Sequence, residues 1–118
     1  MDHILVVDDE EAVKNALKDA LEHFGYKVTA ACNGKEGFEN FNHYRNLKLV
    51  ITDIKMPIMD GIEFAKLIKE SDRPNIPVIA ITAHLKDEHK KRGLFNSILG
   101  KPFNFGTLIK YVKQTLES

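Results

Sequence analysis

Asp8, Asp9, Asp53, Thr82 and Lys101 are side chains suited to phosphoryl chemistry, and each sits at or just after a short apolar run. Asp8-Asp9 follows Ile4-Leu5-Val6-Val7, Asp53 follows residues 47–52, Thr82 closes residues 78–82, and Lys101-Pro102 follows residues 95–99. Carboxylates gathered at one rim repel one another and push their pKa values up unless a cation neutralises them. A hard divalent ion with oxygen ligands meets that need, and Mg²⁺ suits a few carboxylates, a backbone carbonyl and water. The expected ligands are Asp53, one or both of Asp8 and Asp9, and the backbone carbonyl of Lys55. Asp53 can then attack phosphorus as a carboxylate nucleophile and form an aspartyl phosphate. The metal and Lys101 would neutralise charge on the transferring oxygens, Thr82 would offer its hydroxyl, and the small Ala83 would leave the group room.

Each residue also has an ordinary role. Asp is a favoured helix N-cap, so Asp8 or Asp9 taken alone reads more readily as a cap than as a ligand. Thr82 alone reads as a β-branched strand residue, Lys101-Pro102 as a surface turn, and Asp53 as a loop starter. The combination carries the argument, because separate strand ends each deliver a compatible group. The five histidines (His3, His23, His43, His84 and His89) form no i, i+4 pair and no HExxH pattern, so a zinc site is not expected. Cys32 is the only cysteine, which excludes an intramolecular disulfide and a cysteine-rich metal site.

The elements that must position these groups alternate along the chain. Residues 4–7, 26–31, 47–52, 78–82 and 95–99 read as strands. Between them, Val13, Leu17, Leu21 and Phe24 mark a first helix ended by Gly25. Asn33-Gly34 turns into a second helix through Phe38 and Phe41. Asp60-Gly61 opens a third with Ile62, Ala65 and Ile68 on one face, residues 86–92 suggest a short polar fourth, and Phe105 to Leu116 is a clean amphipathic fifth. Five strands alternating with five helices predict an α/β fold with a doubly wound parallel sheet. The strands read as continuous apolar runs, as strands covered on both faces do. Ligands of such sheets bind outside the carboxyl ends of the strands, where the unusual residues lie.

Composition sets the outer limits. The 118 residues suit one domain over 1–118, with 43% hydrophobic side chains to build a core. The 17 basic and 17 acidic residues cancel, which argues against direct nucleic-acid binding. No apolar run approaches the roughly 18 residues of a membrane span, and a cytoplasmic location is expected.

Asp8-Asp9, the stretch Asp53-Ile54-Lys55-Met56-Pro57-Ile58-Met59-Asp60-Gly61, Thr82-Ala83 and Lys101-Pro102-Phe103 closely resemble the receiver domains of two-component response regulators, over nearly the whole chain and in the expected order. The resemblance implies a flavodoxin-like (βα)5 sheet in the order 2-1-3-4-5. It implies that Asp53 is the phosphoacceptor, that Asp8 and Asp9 hold Mg²⁺, that Thr82 is the switch hydroxyl and that Lys101 pairs with the phosphoryl group, with the Lys101-Pro102 bond cis. The donor would be a phosphohistidine on a sensor histidine kinase or histidine phosphotransfer protein. The partner downstream would be a protein or a fused output domain, and the chain itself a signalling domain catalysing only its own phosphorylation and dephosphorylation. Lys55 and His84, two residues beyond Asp53 and Thr82, are expected to flank the phosphoryl group and modulate the attacking water.

The sequence departs from the family in two places. Ile98 stands where a switching Tyr or Phe is usual, so the switch is expected to be smaller or carried by backbone motion. The spacing from Thr82 to Lys101 is short by roughly one helical turn, so the helix between them must be short or remodelled. A receiver-like docking module that works without phosphorylation is the main alternative. A flavodoxin-type cofactor carrier is disfavoured because the acids after the first strand would repel its phosphate. An Asp-nucleophile phosphatase is disfavoured because Lys55 replaces its second Asp.

Overall fold

The computed structural model describes residues 1–83 and 93–117. The chain runs β1 (His3–Val7), α1 (Glu11–His23), β2 (Lys27–Ala31), α2 (Gly34–His43), β3 (Leu47–Asp53), α3 (Gly61–Lys69), β4 (Val78–Thr82), β5 (Ser97–Gly100) and α4 (Phe105–Glu117). The short polar helix expected over residues 86–92 lies outside the described residues, as does His84.

All five strands are parallel, in the order β2-β1-β3-β4-β5. This is the predicted doubly wound sheet. The apolar runs resolve into two faces because successive strand side chains point to opposite sides. Ile4, Val6, Leu49, Ile51, Ile79 and Ile81 pack with Leu17 and Leu21 of α1 and Leu108 and Val112 of α4. Leu5, Val7, Val50, Val78 and Ala80 pack on the other face with Phe41 of α2 and with Phe64, Ala65 and Ile68 of α3. Each strand therefore contributes to both cores, and neither face can slip register without exposing the other.

Local chemistry fixes the element ends. The Asn33 side chain accepts from Glu36 N at 2.9 Å to cap α2, and Asp60 accepts from Glu63 N at 2.9 Å to cap α3. At α1 the N-cap is Glu10, which makes no side-chain cap bond. The last strand begins two residues later than its apolar pattern suggests. Asn96 explains the shift: its backbone N–H donates to Val78 O and its side chain accepts from Val78 N, closing the edge before the regular ladder starts at Ser97. Phe95, read as a strand residue, is instead buried in the core beside α2 and α3.

Candidate functional site at the carboxyl edge of the sheet

The central strands deliver the site. Asp8 directly follows β1, Asp53 ends β3, Thr82 ends β4, and Lys101 directly follows β5. Because β1, β3, β4 and β5 are parallel neighbours, their carboxyl ends share one rim. Asp8 N donates to Ala31 O at 3.1 Å, and Lys101 N donates to Thr82 O at 2.7 Å, so both residues are held by extensions of the ladders. Asp8 and Thr82 are fully buried, and Asp53 is 5% exposed.

The Asp53 carboxylate is oriented from two sides. Its Oδ1 accepts from Ile54 N at 2.7 Å and its Oδ2 accepts from Lys101 Nζ at 2.8 Å. The chain then turns so closely into α3 that a Cβ on Gly61 would lie 2.1 Å from Asp53 O, and Gly61 N donates to Ile54 O at 2.8 Å. Only glycine permits this approach. The motif's Asp-Gly pair is thus read twice: Asp60 caps the helix and Gly61 lets it pack against the strand that ends in Asp53.

Lys101 is the hub. Its Nζ also lies 2.9 Å from Glu10 Oε1 and 3.2 Å from Asp8 Oδ2. Burial alone would lower the lysine's pKa, but the hydrogen bonds to Asp53 and Glu10 and the charges of Asp53 and Asp8 outweigh it and hold the group protonated well above its ordinary range. Asp8 shifts the other way for a carboxyl: burial raises its pKa, Asp53's charge adds to this, and the Glu10 amide and Lys101 offset only part.

Ligand atoms of Asp8, Glu10 and Asp53 all lie within 4.8 Å of one another, a spacing at which one cation can be held. A buried atom supports the fit of a hard cation here: Asp8 Oδ2 is sealed from solvent and accepts no hydrogen bond from the described residues, and Lys101 approaches it without hydrogen-bond geometry. A buried oxygen of this kind is costly unless a charge satisfies it. Asp9 is exposed and is not in that carboxylate group. Lys55 and Ala83 are exposed on the rim, and His84 lies outside the described residues. The Lys101-Pro102 peptide bond is cis. Ile98 is half-buried and packs against the core that carries α2 and α3.

The residue that the sequence reading missed is Glu10. It stands in the acid run Asp8-Asp9-Glu10-Glu11, which gives no sign of which carboxylates turn inward. The signal lay in its type: a glutamate at a helix N-cap, where Ser, Thr, Asp and Asn are preferred, serves the helix poorly.

A family model described as the response regulator receiver domain matches residues 4–113. The chain is 35% identical over 115 residues to the transcriptional regulatory protein CrdR of Helicobacter pylori, covering 94% of this chain and 53% of that protein. It is 38% identical over 116 residues to an uncharacterized protein of Leptolyngbya boryana, covering 94% of this chain and 87% of the relative. Among solved structures, the response regulator TrrA of Thermotoga maritima, in complex with Mg(2+)-BeF, superposes with a TM-score of 0.87 at 35% identity, covering 98% of this chain and 99% of that one. The chain thus spans about half the length of the Helicobacter pylori regulator. No described helix is long and apolar enough to cross a membrane.

Proposed function

Since the chain belongs to the response regulator receiver domain family, we propose that it is the phosphoacceptor of a two-component phosphorelay and that Asp53 is the residue phosphorylated. One observation carries the reading: Asp53 is buried, and its carboxylate is held between Ile54 N and the Lys101 ammonium beside a second buried carboxylate, Asp8.

In the proposed step a carboxylate oxygen of Asp53 attacks phosphorus. The P–N bond of a phosphohistidine breaks, and its electron pair returns to the imidazole nitrogen. Ile54 N fixes one oxygen and leaves the other to react. Lys101 moves its hydrogen bond from that oxygen to the transferring phosphoryl group, where a point charge stabilises the developing anion. The Thr82 hydroxyl donates to another phosphoryl oxygen, and Ala83 leaves space beside it. Mg²⁺, held by Asp53, Asp8, Asp9 and the Lys55 carbonyl with Glu10 close by, would supply further charge neutralisation when bound. Reversal uses water: it attacks phosphorus, the acyl phosphate P–O bond breaks, and the Asp53 carboxylate and inorganic phosphate are released. Lys55 and His84 would flank that water's path.

The donor is proposed to be a sensor histidine kinase or a histidine phosphotransfer protein. The signal passes to a separate protein or to an output domain joined to the receiver, with Thr82 and the backbone around Ile98 transmitting the change. The domain acts on no substrate but its own phosphoryl group, and a cytoplasmic setting suits such a relay.

Incubation with acetyl phosphate and Mg²⁺, read by intact mass, tests the reading. The expected gain is one phosphoryl group, lost on Asp53→Asn and on omission of the metal. A gain that survives Asp53→Asn assigns the chemistry to another residue.

A further inference from the structure

The Lys101 ammonium has three protons, and the carboxylates of Asp53, Glu10 and Asp8 stand 2.8, 2.9 and 3.2 Å from it. The ammonium donates to Asp53 and Glu10 and stands beside Asp8 as an ion pair, so carboxylates surround it where a phosphoryl oxygen would approach. Asp53 is the proposed nucleophile, and Asp8 is the buried oxygen a cation would satisfy. Lys101 gives up its bond to Asp53 in the transfer itself, and of the remaining two carboxylates Glu10 is the exposed one, free to swing into solvent. We propose that Glu10 is a latch on Lys101, a positioning residue that holds the ammonium at the mouth of the site and slows phosphoryl acceptance by Asp53. The inference rests on the phosphoacceptor reading above.

The backbone of Glu10 is pinned and its side chain is spare. Glu10 N donates to Asp8 Oδ1 at 2.9 Å, and Glu10 O accepts from Lys14 N at 2.9 Å as the first turn of α1 forms. The side chain occupies the N-cap position yet makes no cap bond. It crosses instead to Lys101, ninety-one residues along the chain. Helix formation does not call for a glutamate there, whereas the contact with Lys101 does.

Exposure separates this pair from the other two. The Glu10 side chain is 60% exposed, against 7% for Asp53 and 0% for Asp8. An ion pair open to water on one side is weak and breakable, as a latch must be and a structural pair need not be. While closed, it holds one of the ammonium's protons away from the phosphoryl group and places a like charge beside the approaching anion. Opening it returns Glu10 to solvent and leaves Lys101 tied to the site's own carboxylates.

Two substitutions separate a contact from a mere charge. Glu10→Gln keeps the length and removes the charge. Glu10→Asp keeps the charge and withdraws it by one methylene from Lys101. The full chain and both variants are incubated with acetyl phosphate at Mg²⁺ concentrations shown to be saturating for each, and phosphorylation is followed by intact mass against an Asp53→Asn blank. Both variants are expected to react about three- to tenfold faster than the wild type, with unchanged melting curves. A Gln variant at or below the wild-type rate overturns the latch. So does an Asp variant that matches the wild type while Gln is faster, because charge alone would then account for the effect. A wild type with no Asp53-dependent mass gain defeats the phosphoacceptor reading itself, a result distinct from three chains reacting at one common rate.

Discussion

Asp8 shows how a single carboxyl group can oppose folding and still belong in the structure. It is fully buried, its Oδ1 accepts from Glu10 N, and its Oδ2 has no hydrogen bond among the described residues. Burial first, and then the charge of Asp53, raise its pKa above the ordinary 3.8. A carboxyl with a raised folded pKa favours folding while protonated, below the unfolded value, and loses that contribution as pH rises through the folded one. Once ionised, the group therefore works against the fold unless a cation joins it. Asp8→Asn is expected to stabilise the metal-free protein by about 1 kcal/mol. It should also shrink the stabilisation that Mg²⁺ gives the wild type, with both effects read as shifts of the urea midpoint. A metal-free variant less stable than the wild type would show that the pair with Lys101 outweighs the burial cost. The same residue marks the limit of reading side chains from sequence. Asp8, Asp53, Thr82 and Lys101 were legible because each sits at a strand end. Glu10 was not, because an acid run at a helix start looks the same whether its members cap, coordinate or pair.

Among the elements, the connection between β3 and α3 has the most demanding backbone. It is held at three points: Gly61 N to Ile54 O at 2.8 Å, Gly34 N to Met59 O at 2.9 Å, and Met59 N to Pro57 O at 2.7 Å. The last bond skips a single residue and makes a γ-turn with Ile58 at its apex, at φ 70°. A γ-turn of this hand is rare and strained, and the left-handed region is least tolerable for a β-branched side chain. Ile58 is also 76% exposed, so no packing offsets the strain. Ile58→Asn keeps a residue that tolerates this conformation, and is expected to raise stability by about 0.5–1 kcal/mol. The check is a higher denaturant midpoint with an unchanged slope, and a lower midpoint would show that the turn is not strained. Nothing in the apolar letter at position 58 announces such a turn, although Pro57 and Gly61 bracket it. The strands were far more legible, since continuous β-branched runs between helical patterns leave few alternatives to a parallel sheet. The start of β5 was missed because a side chain, Asn96, rather than the apolar pattern, decides where the ladder begins.

For the molecule as a whole, the amino ends of the strands contribute to stability while the carboxyl ends hold the proposed chemistry, and one histidine allows the two to be separated. His3 opens β1, is 2% exposed, shares a 2.7 Å hydrogen bond through Nε2 with Thr29 Oγ1, and meets the Tyr44 ring edge-on at 5.0 Å. Burial, and then the charge of Lys27 paired with it across the ladder, lower its pKa below 6.5, with the Asn46 side chain opposing in part. The unfolded chain therefore takes up a proton near pH 6.5 while the folded chain still declines it. The stability tied to a neutral His3 is complete above that pH and is lost as pH falls toward the folded value, by at most about 1.4 kcal/mol per pH unit. β1 is five residues long, so His3 lies about 16 Å from the Asp8 rim. Protonation there should weaken folding without touching Asp53. His3→Gln is expected to flatten the fall in denaturant midpoint between pH 7 and 5, while the acetyl phosphate reaction of the still-folded protein keeps the wild-type pH profile. An unflattened fall would assign the proton to another group, and a shifted reaction profile would show that the two ends of the sheet are coupled.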